Sequence, residues 1–399
     1  MARHIYVHIP FCERKCPYCS FFSRSANEIN DEVVVQCFES INLEIDLFAK
    51  SNFQDINQDA MSTIYFGGGT PSFVDAALIC DTLTHIKDAF HLSNNTEITI
   101  EVNPASATFE KLSQYKKAGF NRISIGVQSL SDTTLKILGR LHDAQEATDT
   151  IENAKKAGFT NISADLIIGV PTQTLTQILK DAETLIESGV AHISMYSLSI
   201  EEGTKFFSLY KNTLEDYISQ EKEREMYHEL RSFLDFKGIH PYEISNCARK
   251  GYESRHNLSY WNACEYYAFG PGAHGYLQGV RFGNVDDVDE FVNTVGDMKV
   301  ESISSLFRND RSAKLGPIYV EECLSNEGKL KEYALLRLRT SEGIDADFFS
   351  KTFQTDFQTY FKNEIESNNF KGYTTYDGRS FKLTTKGLDF ANQVFEDFI

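Results

Sequence analysis

Short runs of alternating or continuous apolar residues recur through the first two hundred positions, each followed by a stretch with helical spacing. That alternation predicts βα units and a parallel sheet. Candidate strands are Ile5 to Ile9, Thr63 to Phe66, Glu97 to Val102, Arg122 to Val127, Asn161 to Ile168 and His192 to Leu198. Between the first two, Val34, Cys37, Phe38, Ile41, Ile45 and Phe48 share one helical face. An internal repeat keeps the same register: Lys116-Lys-Ala-Gly-Phe-Asn-Arg-Ile-Ser returns as Lys155-Lys-Ala-Gly-Phe-Thr-Asn-Ile-Ser. Each copy reads as a helix end, a glycine (Gly119, Gly158) and the next strand.

Beyond about residue 205 the pattern changes. A charged helix is predicted from Leu214 to Phe236, then a Gly-, Tyr- and Asn-rich stretch from Gly238 to Asn284. The last seventy or so residues read as helices, the Asp377-Gly378 hairpin and a closing helix from Lys386 to Phe398, an order resembling a winged helix. The division expected is 1–205 and 206–399, the latter split into 206–325 and 326–399. A chain of 399 residues exceeds what one core usually serves, which agrees with a large and a smaller unit.

Composition narrows the function. Apolar residues at 41% and charged residues at 24% are the balance of a globular chain. With neither a signal-peptide pattern nor an apolar run of about 18 residues, a cytoplasmic protein without a transmembrane segment is expected, peripheral membrane contact being left open. A net charge of −18 argues against nucleic acid as a partner and, for the terminal module, favours packing or protein docking over DNA.

Three of the eight cysteines stand together as Cys12-x-x-x-Cys16-x-x-Cys19, directly after the first strand. Thiolates so spaced suit an iron–sulfur cluster, and three ligands for four irons leave one iron open. Cys37, Cys80 and Cys323 read as small core residues, and Cys247 and Cys264 flank His256 without a zinc-type spacing. Gly67-Gly68-Gly69-Thr70-Pro71 follows the second strand, where glycines let backbone approach a ligand. Glu101, Gln128 and Asp165 lie at the ligand-bearing ends of strands expected to be apolar inside, and Arg140 follows the fourth.

The cysteine loop, with Tyr18 before its last cysteine, resembles the radical S-adenosylmethionine (SAM) signature. Tyr6-Val-His-Ile-Pro-Phe, Gly67-Gly-Gly-Thr-Pro, Glu101-Val-Asn-Pro, Gly126-Val-Gln-Ser and Asp165-Leu-Ile-Ile-Gly are similar to the family of oxygen-independent coproporphyrinogen III oxidases and haem chaperones. The resemblance implies a partial (β/α)6 barrel, followed by a smaller α+β region ending in a winged-helix-like module. It further implies a [4Fe-4S] cluster on Cys12, Cys16 and Cys19. Tyr6, Gly68 and Glu101, with Tyr18, would then serve the SAM on that cluster. The positions of Gly69, Thr70, Gln128, Arg140 and Asp165 correspond to contacts with a second SAM in the oxidase.

Three features favour the chaperones within that family. Phe21 stands where the oxidase has a further cysteine, eleven residues precede Cys12 where the oxidase has a longer arm, and His256-Asn-Leu-Ser-Tyr-Trp261 matches the chaperones' HNxxYW motif. The function so implied is to bind haem and deliver it to haem-requiring, respiratory proteins. The oxidase, and an iron–sulfur partner protein with vestigial SAM binding, remain the alternatives. His256 is then a candidate haem ligand and His274 a second, with Tyr260 and Trp261 as stacking surfaces; the competing reading makes His256 a hydrogen-bonded core residue.

Overall fold

A computed structural model describes residues 4–51, 60–211, 219–307 and 312–399. Six parallel strands lie side by side in chain order: β1 (His4–Ile9), β2 (Met61–Gly68), β3 (Leu92–Val102), β4 (Arg122–Gln128), β5 (Asn161–Ile168) and β6 (His192–Ser197). Helices Asp31–Lys50, Ala76–Ala89, Phe109–Ala118, Ala144–Lys156 and Leu175–Glu187 connect them. The fold is mixed α/β, built on one large, largely parallel sheet.

Local chemistry starts and stops these elements. The Asn30 side chain accepts a hydrogen bond from the Val33 N–H at the head of Asp31–Lys50, and the anticipated face Val34, Cys37, Phe38, Ile41, Ile45 and Phe48 is buried. Gly119 ends Phe109–Ala118 in the left-handed conformation, φ +111°, and Gly158 follows Ala144–Lys156 at φ +97°.

Alternation along the strands sorts side chains into two layers. Ile5, Val7 and Ile9, then Ile64 and Phe66, Ile98 and Ile100, Ile123 and Ile125, Ile162 and Ala164, and Ile193 and Met195 belong to the main hydrophobic core. The intervening positions are polar: Thr63 and Tyr65, Glu97, Thr99 and Glu101, Arg122 and Ser124, Ser163 and Asp165, His192 and Ser194. The expectation of an apolar inner face with polar exceptions at the rim is therefore corrected. Polar side chains line the inside well below the rim, and the apolar core is the outer layer between strands and helices.

Strands from the second half extend the same sheet at both edges. Tyr266–Phe269 pairs in parallel with β1 and leads through His274–Leu277 and Val280–Asn284 to Ile318–Cys323, while Asn246–Ala248 pairs antiparallel with β6. The charged helix spans Gln220–Phe236; the start placed at Leu214 falls outside the described residues.

A second core, centred on Leu338, Phe349, Phe357, Phe381 and Val394, belongs to the last seventy residues. There helices precede a hairpin of Thr374–Tyr376 and Ser380–Leu383 turning at Asp377 and Gly378. The single helix expected from Lys386 to Phe398 is two, Thr385–Asp389 and Ala391–Glu396, broken where Phe390 leaves helical geometry at φ −114° and stacks on Tyr373.

Candidate functional site

At the C-terminal ends of β2 to β6 a cleft of about 420 Å³ opens. Tyr18, Cys19, Gly68, Gly69, Thr70, Glu101, Gln128, Arg140 and Asp165, all singled out in the sequence, line it. Tyr6 is not among the lining residues. Its hydroxyl shares a hydrogen bond with His8 Nδ1 at 2.9 Å, and its ring stacks on Tyr65.

The cysteine loop is stitched to the glycine loop by backbone. Gly69 N–H donates to the Ile9 carbonyl at 2.9 Å and Thr70 N–H to the Phe11 carbonyl at 2.8 Å. A Cβ on Gly69 would lie 2.8 Å from both carbonyl oxygens, and one on Gly67 3.0 Å from the Glu101 carboxylate, so side chains are excluded by contact. Thr70 Oγ1 donates to Cys12 Sγ at 3.4 Å, and Arg140 Nη1 to Cys16 Sγ at 3.6 Å. All three thiols are free, and burial pushes those of Cys12 and Cys19 above the ordinary thiol range. Among the described residues no three His, Cys, Asp or Glu side chains converge as closely as a single ion demands. Each thiolate of a cubic cluster binds a different iron, and three free thiols on one loop, with Thr70 beside Cys12 and Arg140 beside Cys16, fit a [4Fe-4S] group.

Glu101 and Asp165 line the same cleft as Cys19. Glu101 accepts from the Tyr65 hydroxyl at 2.6 Å and from the Gly68 N–H at 3.3 Å, yet burial still raises its pKa to about 7. Asp165 is also raised by burial, against the hydroxyls of Ser194 and Ser124 and the charge of Arg122. Gln128 holds φ +67°, a left-handed conformation that a non-glycine residue rarely adopts, and so turns the chain at the end of β4. Arg140 braces this turn through Nη2, which donates to the Gly126 carbonyl at 2.9 Å.

The cleft also contains residues not anticipated: Asn103, Ser124, Tyr196 and Glu201, with Phe21 at the rim, 64% exposed. The missed signal was the period-two polar pattern in the strands, which assigns Ser124 and Tyr196 to the same inner face as Gln128 and Asp165.

His256 is elsewhere. It sits in the short helix Arg255–Trp261, 1% exposed, with Nδ1 bonded to Thr63 Oγ1 at 2.7 Å and Nε2 to the Tyr260 hydroxyl at 2.8 Å. Both ring nitrogens are hydrogen-bonded and the ring stacks on Tyr65, the geometry that the core-histidine reading describes. Tyr260 and Trp261 line a second, smaller hollow with Cys264, Tyr266, Tyr276 and Arg281. His274 lies at the surface, 2.9 Å from Glu321.

The Radical SAM superfamily model matches residues 6–185, and the HemN C-terminal domain model matches residues 324–390. A protein of Lactococcus lactis named Heme chaperone HemW is 32% identical over 99% of this chain and 96% of its own. Its namesake from Bacillus subtilis is 32% identical over 99% and 98%. The mitochondrial Radical S-adenosyl methionine domain-containing protein 1 of Bos taurus is 36% identical over 68% of this chain and 60% of its own. The solved coproporphyrinogen III oxidase (HemN) of Escherichia coli superposes with a TM-score of 0.80 over 100% of this chain and 90% of that one; at 19% identity this speaks to the fold alone. The chain belongs to the HemW family of radical-SAM proteins.

Proposed function

We propose that this protein is a haem chaperone that carries a [4Fe-4S] cluster and SAM, binds haem and hands it to haem-requiring proteins of respiration. One observation carries the reading: similarity to proteins named Heme chaperone HemW extends over 99% of the chain, the HNxxYW segment included. In this reading Cys12, Cys16 and Cys19 hold the cluster. When bound, such a cluster would supply an electron and, at its open iron, a chelation point for the methionine end of SAM. Glu101 and the Gly68 N–H receive the ligand's polar groups, Thr70 and Arg140 brace the thiolates, and Gln128 and Asp165 face the remainder of the ligand. Residues 1–205 form the SAM unit and 206–399 the unit that adapts it to haem. Among the described residues no helix is long and apolar enough to cross a membrane, and we place the protein in the cytoplasm.

The competing activity, decarboxylation of coproporphyrinogen III, shares the fold. Phe21 replaces the further cysteine of that enzyme with an exposed apolar ring at the mouth of the cleft. A haem titration beside a coproporphyrinogen assay on the anaerobically reconstituted protein separates the two. The expected result is a saturable Soret shift with no porphyrinogen turnover in the presence of SAM and reductant. SAM-dependent decarboxylation by the unmodified chain would overturn the chaperone reading.

A further inference from the structure

Below the cleft, the interior of the barrel holds a charge that none of the roles above uses. Arg122 opens β4, paired in register with Thr99 on β3 and Asn161 on β5. Ser124, two residues on, pairs with Glu101 and lines the cleft. Alternation therefore puts Arg122 on the inner face, one layer beneath the floor. Layers on one face of a strand are spaced by about 6.6–6.8 Å, within reach of an arginine side chain.

Arg122 is 2% exposed and among the largest fully buried side chains. A buried guanidinium is ordinarily locked into a bidentate carboxylate pair, since an uncompensated buried charge is unfavourable by several kcal/mol. Here Nε is buried with no hydrogen-bond partner among the described residues. Its field instead reaches several groups around the lumen: Tyr65 from β2, Glu101 from β3, Asp165 from β5, His192 from β6, and Tyr242 and His256 from the second half.

We propose that Arg122 is a positioning residue of the cleft: its guanidinium, one layer beneath the floor, keeps Glu101 and Asp165 as hydrogen-bond acceptors for a cationic, hydroxyl-bearing ligand. The proposal rests on the SAM reading above. One buried charge acts on both sides of the balance. Burial drives the two carboxyls towards their neutral forms, and Arg122 opposes it. Burial drives His192 and His256 neutral as well, and Arg122 reinforces it, so neither imidazole competes as a cation. Arg140 at the rim contributes on the Asp165 side.

The test is SAM affinity as a function of pH for the anaerobically reconstituted protein and for Arg122→Met, Arg122→Gln and Arg122→Lys. For the unmodified protein, affinity falls as the pH drops through about 7, where Glu101 takes a proton. Loss of the charge in Arg122→Met or Arg122→Gln should move that midpoint upward by about one unit and weaken binding at pH 7 about fivefold. Arg122→Lys, which keeps the charge and loses the fork, should recover most of both. If Arg122 only fills space, the neutral variants will weaken binding equally at every pH, and that overturns the proposal. Should neither neutral variant fold, Arg122→Lys decides. Retained affinity and midpoint support the charge; lost affinity with an unchanged melting temperature overturns it. An unmodified protein that binds no SAM at any pH is a separate outcome and removes the SAM reading itself.

Discussion

At Gly68 the backbone holds φ +106°, and an added Cβ would lie 2.5 Å from the His8 ring. His8 cannot simply swing away, because Nδ1 is tied to the Tyr6 hydroxyl and Nε2 to the Phe22 carbonyl, both at 2.9 Å. Burial lowers the His8 pKa to about 4, so the ring is neutral at physiological pH and one of its nitrogens must accept. Gly68→Ala therefore combines a left-handed residue with a steric clash, and should destabilise the protein by about 1–3 kcal/mol. Because Gly68 N–H also meets Glu101, the same change should lower SAM affinity, which Gly67 and Gly69 would not rescue. Thermal melting together with SAM titration checks this; an unaltered melting temperature would show that the loop yields freely. The glycine run was legible in the sequence as a ligand-facing turn. What it did not disclose is that each glycine is set by a different neighbour, since those neighbours come from β1, the cysteine loop and β3.

Between elements, helix Asp31–Lys50 carries one residue its apolar pattern does not announce. Glu44 is fully buried, accepts from the Gly270 N–H at 2.9 Å and from Asn284 Nδ2 at 2.8 Å, and so ties the helix to the Gly270-Pro-Gly-Ala-His-Gly275 loop. That loop in turn presses against β1, where a Cβ on Gly270 would meet the His8 carbonyl oxygen at 2.5 Å. Burial raises the Glu44 pKa to about 7, above its value in the unfolded chain, so the stability it contributes is complete below about pH 4.5 and is lost as the pH rises through about 7. Glu44→Gln keeps one of the two acceptor oxygens and removes the ionisation. It should flatten the decline in stability between pH 4.5 and 7 by on the order of 2–3 kcal/mol, measured by denaturant unfolding across that range. An unchanged slope would mean that Glu44 is solvated more than its burial suggests. The helix and its buried face were legible because periodicity is local. Glu44 was not, because its two partners stand more than two hundred residues away, and the same holds for Tyr266–Phe269, whose parallel pairing with β1 closes one side of the barrel sheet. The motif of His256 is visible in the sequence, but its hydrogen bond to Thr63 appears only when β2 and the helix Arg255–Trp261 meet.

Over the whole molecule two cores are joined by polar contacts as well as apolar ones, Leu388 packing against the main core and Ile244 and Ala263 against the second. Arg337 Nη1 donates to Asn262 Oδ1 at 2.6 Å, the Arg339 guanidinium lies 4.6 Å from the centre of the Trp261 ring, and the Ile244 N–H donates to the Arg339 carbonyl. These contacts place the last seventy residues directly on the HNxxYW helix, a proximity that no local pattern in the sequence could reveal. On the other side, Asp389 accepts from Arg224 Nε and pairs with His228 Nε2, each at 2.7 Å, clamping the terminal module to helix Gln220–Phe236. Although burial works against the Asp389 charge, His228 and Arg224 hold its pKa below the usual carboxylate value. The clamp therefore contributes above the unfolded carboxyl pKa, about 3.9, and is lost as the pH falls through the lower folded value. With the Asp389 side chain 34% exposed, solvent screens the pair, so Asp389→Ala should be worth no more than about 1 kcal/mol near neutral pH. The loss should also be local, because the Arg337 and Arg339 contacts survive the change. Hydrogen exchange should quicken in the helices and hairpin of 326–399 while β1 to β6 keep their protection, since sub-global opening follows separately packed units. Equal acceleration in both regions would mean that the two cores unfold as one, and that the terminal module cannot move against the HNxxYW helix without opening the barrel.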